Sequence, residues 1–132
     1  MKLAGKTALV TGGSRGIGRA VVRGLAAQGA KVAFTYNSNA DAANELVKEL
    51  ELDQREAVAI QANAADAEKA AEVIDGVIEK WEKLDILVNN AGIIKDGLLA
   101  TMSEDNWTSV INTNLNSIYN YCQAAMRSMM SA

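Results

Sequence analysis

The residues best suited to chemistry form one glycine-rich stretch near the N-terminus. In Thr11-Gly12-Gly13-Ser14-Arg15-Gly16-Ile17-Gly18, glycines at 12, 16 and 18 give a Gly-x3-Gly-x-Gly spacing. Backbone without Cβ atoms lets N–H groups come close to a pyrophosphate, and a helix beginning there adds the positive end of its dipole. The stretch comes after a short apolar run and opens an amphipathic one, which is the setting a dinucleotide site requires. Gly12, Ser14, Arg15, Gly16, Ile17 and Gly18 are therefore the candidate cofactor contacts. A plain glycine-rich turn between two elements is the competing reading.

The choice of nicotinamide cofactor rests on the position about 20 residues further along, where an Asp or Glu commonly accepts from the ribose hydroxyls of NAD. That place holds Thr35-Tyr36-Asn37-Ser38, with no acid before Asp41. Arg15 is a cation able to face a 2′-phosphate, and Asn37 and Ser38 are able to donate to one. The expected cofactor is NADP(H). For Arg15 a solvated loop cation is the alternative.

Composition removes other chemistries. The chain has 132 residues, no histidine and one cysteine, Cys122. A Ser-His-Asp or Cys-His mechanism is impossible within it, and a zinc site lacks its usual ligands, although carboxylates remain for magnesium. A net charge of -3 gives no electrostatic reason to expect nucleic acid. No apolar run approaches the roughly 20 residues that span a bilayer. The N-terminus enters a strand directly without the shape of a signal peptide, and a lone cysteine suits a reducing compartment, so a cytoplasmic setting is expected. The absence of proline has no functional reading.

The elements that must position these residues alternate regularly. Strands are predicted at Lys6–Thr11, Lys31–Tyr36, Ala57–Gln61 and Asp85–Val88, each a short apolar or β-rich run. Helices are predicted from Ile17 to Gln28 with Gly29 as C-cap, from Asn37-Ser38-Asn39 to about Leu52, and from Asp66 to about Trp81. A last helical stretch runs from Ser103-Glu104-Asp105-Asn106 to the C-terminus, with Ile111, Leu115, Ile118, Cys122, Met126 and Met130 as its apolar face. There is no repeat, low-complexity tract or linker, so residues 1–132 form a single domain. Its expected class is α/β, a Rossmann-type three-layer αβα arrangement. Four strands make half of a doubly wound parallel sheet, in the order 3-2-1-4.

With these motifs in place, the chain resembles the short-chain dehydrogenase/reductase family, whose phosphate turn has this Gly-x3-Gly-x-Gly form. A second mark is Asn89-Asn90-Ala91-Gly92 after the fourth strand. By resemblance Asn90, Ala91 and Gly92 stabilise the central sheet and run past the adenosine and the nicotinamide-side ribose. Asn63-Ala64 stands where the family contacts the adenine amino group, with a strand-end cap as the competing explanation. In Asn112-Thr113-Asn114-Leu115, Asn114 matches the asparagine of the family's catalytic tetrad, which holds a helix irregularity and a water linked to the active-site lysine. Without the other motifs it would read as a polar residue on an exposed helix face. TGGSRGIG, NNAGIIKDGLLATMSEDNW and VINTNL are most similar to the 3-oxoacyl-[acyl-carrier-protein] reductase subgroup. That resemblance implies NADPH-dependent reduction of a β-keto thioester carried by acyl carrier protein in fatty-acid biosynthesis.

The resemblance also shows what these residues do not include. The family's proton donor is a tyrosine four residues before a lysine, helped by a serine. Tyr36 has Ala40 four residues on, Tyr119 has Gln123 and Tyr121 has Ala125, so none qualifies. The expectation is a cofactor-binding half that stops short of the catalytic Ser, Tyr and Lys, is inactive alone, and self-associates or binds a partner through strand four and the last helix. The alternative is a non-enzymatic half-Rossmann module that binds nucleotide. A flavodoxin-like FMN protein would share the alternation but not the dinucleotide spacing.

Overall fold

The computed structural model describes residues 2–14, 16–63, 66–90, 104–105, 118–127 and 129. β1 (Thr7–Val10) is buried along its whole length, as a strand covered on both faces must be. α1 (Gly16–Ala27) ends where the Gly29 N–H donates to the Ala26 carbonyl at 3.0 Å. β2 (Lys31–Tyr36) leads to α2 (Ala40–Leu52), whose N-cap Asn39 accepts from the Ala42 N–H at 3.1 Å. β3 (Ala57–Gln61) leads to α3 (Ala67–Trp81), where the Asp66 carboxylate accepts from the Lys69 N–H at 3.1 Å. Each cap satisfies one of the amides that a helix start leaves without a partner. β4 (Ile86–Val88) comes next. The four expected strands and the first three expected helices form, with β1 and β4 slightly shorter than predicted, as strand ends commonly are; most of the last expected helix lies outside the described residues.

The sheet is parallel in the order β3-β2-β1-β4. This is the expected order, and it excludes the flavodoxin arrangement, in which the first strand lies between the second and third. Register places Val10 beside Phe34 and Val88, and Val32 beside Ala57. Successive strand residues face opposite sides, so the sheet carries two cores. Val10, Val32 and Phe34 pack with Val22 and Ala26 of α1 and Leu46 and Leu50 of α2. Leu9 and Ala33 pack with Val73, Ile74, Val77 and Trp81 of α3. Burial of each large apolar side chain stabilises by about 1.5–3 kcal/mol.

A helical segment over 118–127 joins the second core. Here the structure corrects the predicted apolar face. Tyr121 and Ala125 are buried against the core, whereas Ile118 is 43% and Met126 57% exposed. Two adjacent i,i+4 rows are both apolar enough to face inward. The Tyr121–Ala125 row prevails, a large ring being succeeded one turn on by a small residue. Ile111, Leu115 and Met130 lie outside the described residues. Among the described residues no helix is long and apolar enough to cross a membrane.

Candidate dinucleotide site

Because the four strands run parallel, their carboxyl ends share one edge, where open α/β sheets bind ligands. The glycine turn comes after β1, Asn37-Ser38 after β2, Asn63 after β3 and Asn90 after β4. The strand order sets them side by side as Asn63, Asn37-Ser38, the glycine turn and Asn90. Neighbouring strands are about 4.8 Å apart, so the row spans about 14 Å, room for an extended ligand lying across the edge.

The turn is held by bonds to two other segments, β2 and the end of β4 with the residues just after it. The Thr11 N–H donates to the Val88 carbonyl at 3.0 Å. The Gly12 N–H donates to Thr35 Oγ1 and the Gly13 N–H to the Thr35 carbonyl, both at 3.0 Å. From β4, the Asn90 N–H donates to Thr11 Oγ1 and Asn90 Nδ2 donates to the Gly12 carbonyl, again at 3.0 Å. Gly12 has φ of +70° and Gly16 φ of +61°, backbone that other residues rarely adopt. Gly18 is needed for a different reason. A Cβ there would overlap the Gly12 carbonyl oxygen and come within 2.5 Å of Asn90 Nδ2. A Cβ on Gly16 meets nothing within 4 Å among the described residues, so its glycine serves the backbone conformation and not the packing.

This geometry sets the first turn of α1 against the loop. The opening N–H groups of a helix have no acceptor inside it, and the first turn of α1 carries no acidic side chain to occupy them. Ile17 stands there 76% exposed, beside a helix end whose dipole favours an anion. Ser14 is buried, and its carbonyl accepts from Arg19 Nη1 at 3.3 Å. The glycine turn and a helix start without an acidic side chain both fit a pyrophosphate.

Along the edge, Asn37 and Ser38 are exposed, and the Asn37 carbonyl accepts from Gln61 Nε2 at 3.1 Å. No carboxylate lies between Thr35 and Ala40 to repel a 2′-phosphate. Asn63 is exposed and its carbonyl accepts from the Asp66 N–H at 3.1 Å. Arg15, Ala64, Ala91, Gly92 and Asn114 lie outside the described residues.

Sequence reasoning passed over Thr11, Thr35, Arg19 and Asn89 as site residues. The first three hold the turn, and Asn89 Nδ2 donates to Cys122 Sγ at 3.3 Å, linking the edge to segment 118–127. That segment also places Tyr121 under the site. Burial pushes the Tyr121 phenol up to about 12, countered by the adjacent Thr35 hydroxyl and reinforced by the charge of Asp66. The phenol oxygen has no hydrogen bond of ordinary geometry among the described residues. Among the described residues no group of three His, Cys, Asp or Glu side chains gathers to hold a metal. The arrangement is suited to receive an anion, and with no histidine in the chain it offers no histidine base for a nucleophile.

Comparison with known proteins agrees with this geometry. The sequence profile described as short chain dehydrogenase matches residues 6–132. The 3-oxoacyl-[acyl-carrier-protein] reductase FabG of Staphylococcus aureus (strain Mu50) is 44% identical over 125 residues, covering 95% of this chain and 51% of that protein. The 3-oxoacyl-[acyl-carrier-protein] reductase of Synechocystis is 41% identical, covering 97% and 51%. Among solved structures, a short chain dehydrogenase from Burkholderia cenocepacia in complex with NADP superposes with a TM-score of 0.90 at 45% identity, covering 97% of this chain and 52% of the other. A blue fluorescent protein from a metagenomic library, in complex with NADPH, gives 0.87 at 45% identity, covering 97% and 53%. The chain thus spans about half the length of the curated relatives it matches. On the profile match and these identities together, the chain belongs to the short-chain dehydrogenase family.

Proposed function

We propose that this chain supplies the NADP(H)-binding half of a reductase acting on 3-oxoacyl groups carried by acyl carrier protein in fatty-acid synthesis. The observation that carries the cofactor assignment is the carboxyl edge. A glycine turn opens onto the first turn of α1, which carries no acidic side chain, beside a β2 end that lacks a carboxylate. The substrate class is supported by the two relatives named as 3-oxoacyl-[acyl-carrier-protein] reductases, and the cofactor by two similar structures that contain NADP or NADPH.

In this reading Gly12, Ser14, Gly16, Ile17 and Gly18 form the pyrophosphate cradle. Arg15, Asn37 and Ser38 receive the 2′-phosphate, and Asn63 and Ala64 the adenine. Asn90, Ala91 and Gly92 line the ribose side, and Asn114 takes the place of the family's helix asparagine. The cofactor when bound supplies a hydride to a carbonyl. The chain's own residues bind and orient it, and none of its tyrosines has a lysine four residues on. Proton donation to the reduced carbonyl therefore falls to residues outside these 132.

The test is a β-ketoacyl reductase assay with NADPH, run on the chain alone and with the C-terminal half of a relative supplied in trans. No turnover alone and turnover on complementation are expected. Turnover by the chain alone would contradict the division of labour. Cofactor binding without restored turnover would favour the second reading, a nucleotide-binding module without catalysis, which the missing Tyr-x3-Lys pair favours. The same reading includes self-association. β4 has no outer strand partner among the described residues, an arrangement that invites pairing, and Ile118, Tyr119 and Met126 are exposed nearby in sequence to the Cys122–Asn89 link. Sedimentation velocity should show species larger than a monomer as concentration rises, and a monomer throughout would contradict it.

A further inference from the structure

The backbone amides of the glycine turn can be traced one by one. The Thr11 N–H goes to Val88, and those of Gly12 and Gly13 both go to Thr35. The Gly12 carbonyl is taken by Asn90. Both polar groups of Gly12 are thus committed within the protein, so Gly12 serves the cradle by close backbone approach, and a diphosphate draws its amide donors from beyond Gly13, toward the start of α1. Two consecutive amides end on one residue, one on its hydroxyl and one on its carbonyl. We propose that Thr35 is a positioning residue for the pyrophosphate, its hydroxyl and carbonyl together setting the shape in which the turn presents the α1 amides. This inference rests on the NADP(H) reading above and names a residue that reading did not use.

Three features make the hydroxyl hard to replace. Thr35 is 2% exposed, so water has little access to take over as acceptor for the Gly12 N–H. Gly12 sits in left-handed backbone, where the chain has no local reason to stay without an external hold. Tyr121 is buried beside the Thr35 hydroxyl on the side of the second core, leaving that side chain little freedom to turn away. A β-branched valine would fill the same volume and keep the carbonyl contact while removing the acceptor, whereas serine would keep the acceptor.

The experiment compares the chain with Thr35→Val and Thr35→Ser, using NADPH and adenosine 2′-monophosphate as probes. The second probe carries the adenine and the 2′-phosphate but no pyrophosphate. Thr35→Val should weaken NADPH about tenfold, the worth of one hydrogen bond. It should leave adenosine 2′-monophosphate unchanged, and Thr35→Ser should bind both as the parent does. Equal loss of both probes would reduce Thr35 to a structural residue and overturn the proposal, as would unchanged NADPH binding by Thr35→Val. Should Thr35→Val not fold, Thr35→Ala carries the same expectation. If the parent itself binds no NADPH, the functional reading fails, and the positioning role is then read from the free protein. The Gly12 and Gly13 amide resonances should shift, and the Gly12 amide exchange faster, in Thr35→Val but not in Thr35→Ser. Amides that stay in place would overturn the role independently of the cofactor.

Discussion

At the scale of single residues, the site depends on atoms that are absent. Gly18 lies where α1 and the β4 loop converge on the Gly12 carbonyl, and any side chain there meets backbone that cannot swing aside. Gly18→Ala should cost about 1–3 kcal/mol of stability, the usual effect of forcing volume into a packed contact. It should also abolish NADPH binding. Thermal melts and a cofactor titration check this, and a variant with unchanged melting temperature and affinity would contradict the described contact. The glycine spacing was legible in the sequence because only a ligand or a tight approach calls for it. Thr35 was not legible, since a threonine in a strand reads as β-branched filling. Only the β1–β2 register, with Val10 beside Phe34, carries Gly12 to the Thr35 hydroxyl.

At the scale of elements, the two ends of the sheet do different work. At the amino edge the Asp85 carboxylate ties β1 to β4, accepting from the Thr7 N–H at 2.9 Å with Lys83 Nζ at 3.2 Å. The Thr7 bond foremost, then Lys83, holds Asp85 below its ordinary 3.8, against an opposing effect of burial. A lowered carboxylate value means a stabilising contribution that is complete above the unfolded value and is lost as pH falls through the folded one. With its side chain 27% exposed, Asp85→Asn should cost on the order of 0.5–1 kcal/mol at neutral pH after solvent screening. The gap from the parent should close below the ordinary carboxylate range. Denaturation of both proteins across that range checks the sign, and a gap that widens in acid would contradict it. Element boundaries were readable from caps with a mechanism, Asn39, Asp66 and Gly29. The inward face of segment 118–127 was not, because its two apolar rows differ mainly in which packs better against α3 and the sheet.

At the scale of the whole molecule, a parallel sheet with a core on each face brings four loops from distant parts of the sequence onto one edge. Strict alternation of buried strands and amphipathic helices made that topology readable, and the family is established by it together with the profile match. The position of the site on the edge is a consequence of the topology. The shape of the glycine turn depends on hydrogen bonds that cross between β1, β2 and the end of β4, and no local pattern encodes those. Cofactor binding at the glycine turn is tested by titrating the chain with NADPH and with NADH beside Gly12→Asp, whose side chain would occupy left-handed backbone and carry a negative charge to the pyrophosphate. Saturable binding should be seen with NADPH preferred, displaced by excess NADP and lost in a Gly12→Asp variant that still melts cooperatively. Binding that survives in Gly12→Asp, or no preference for NADPH over NADH, would contradict the assignment of this edge as an NADP(H) site.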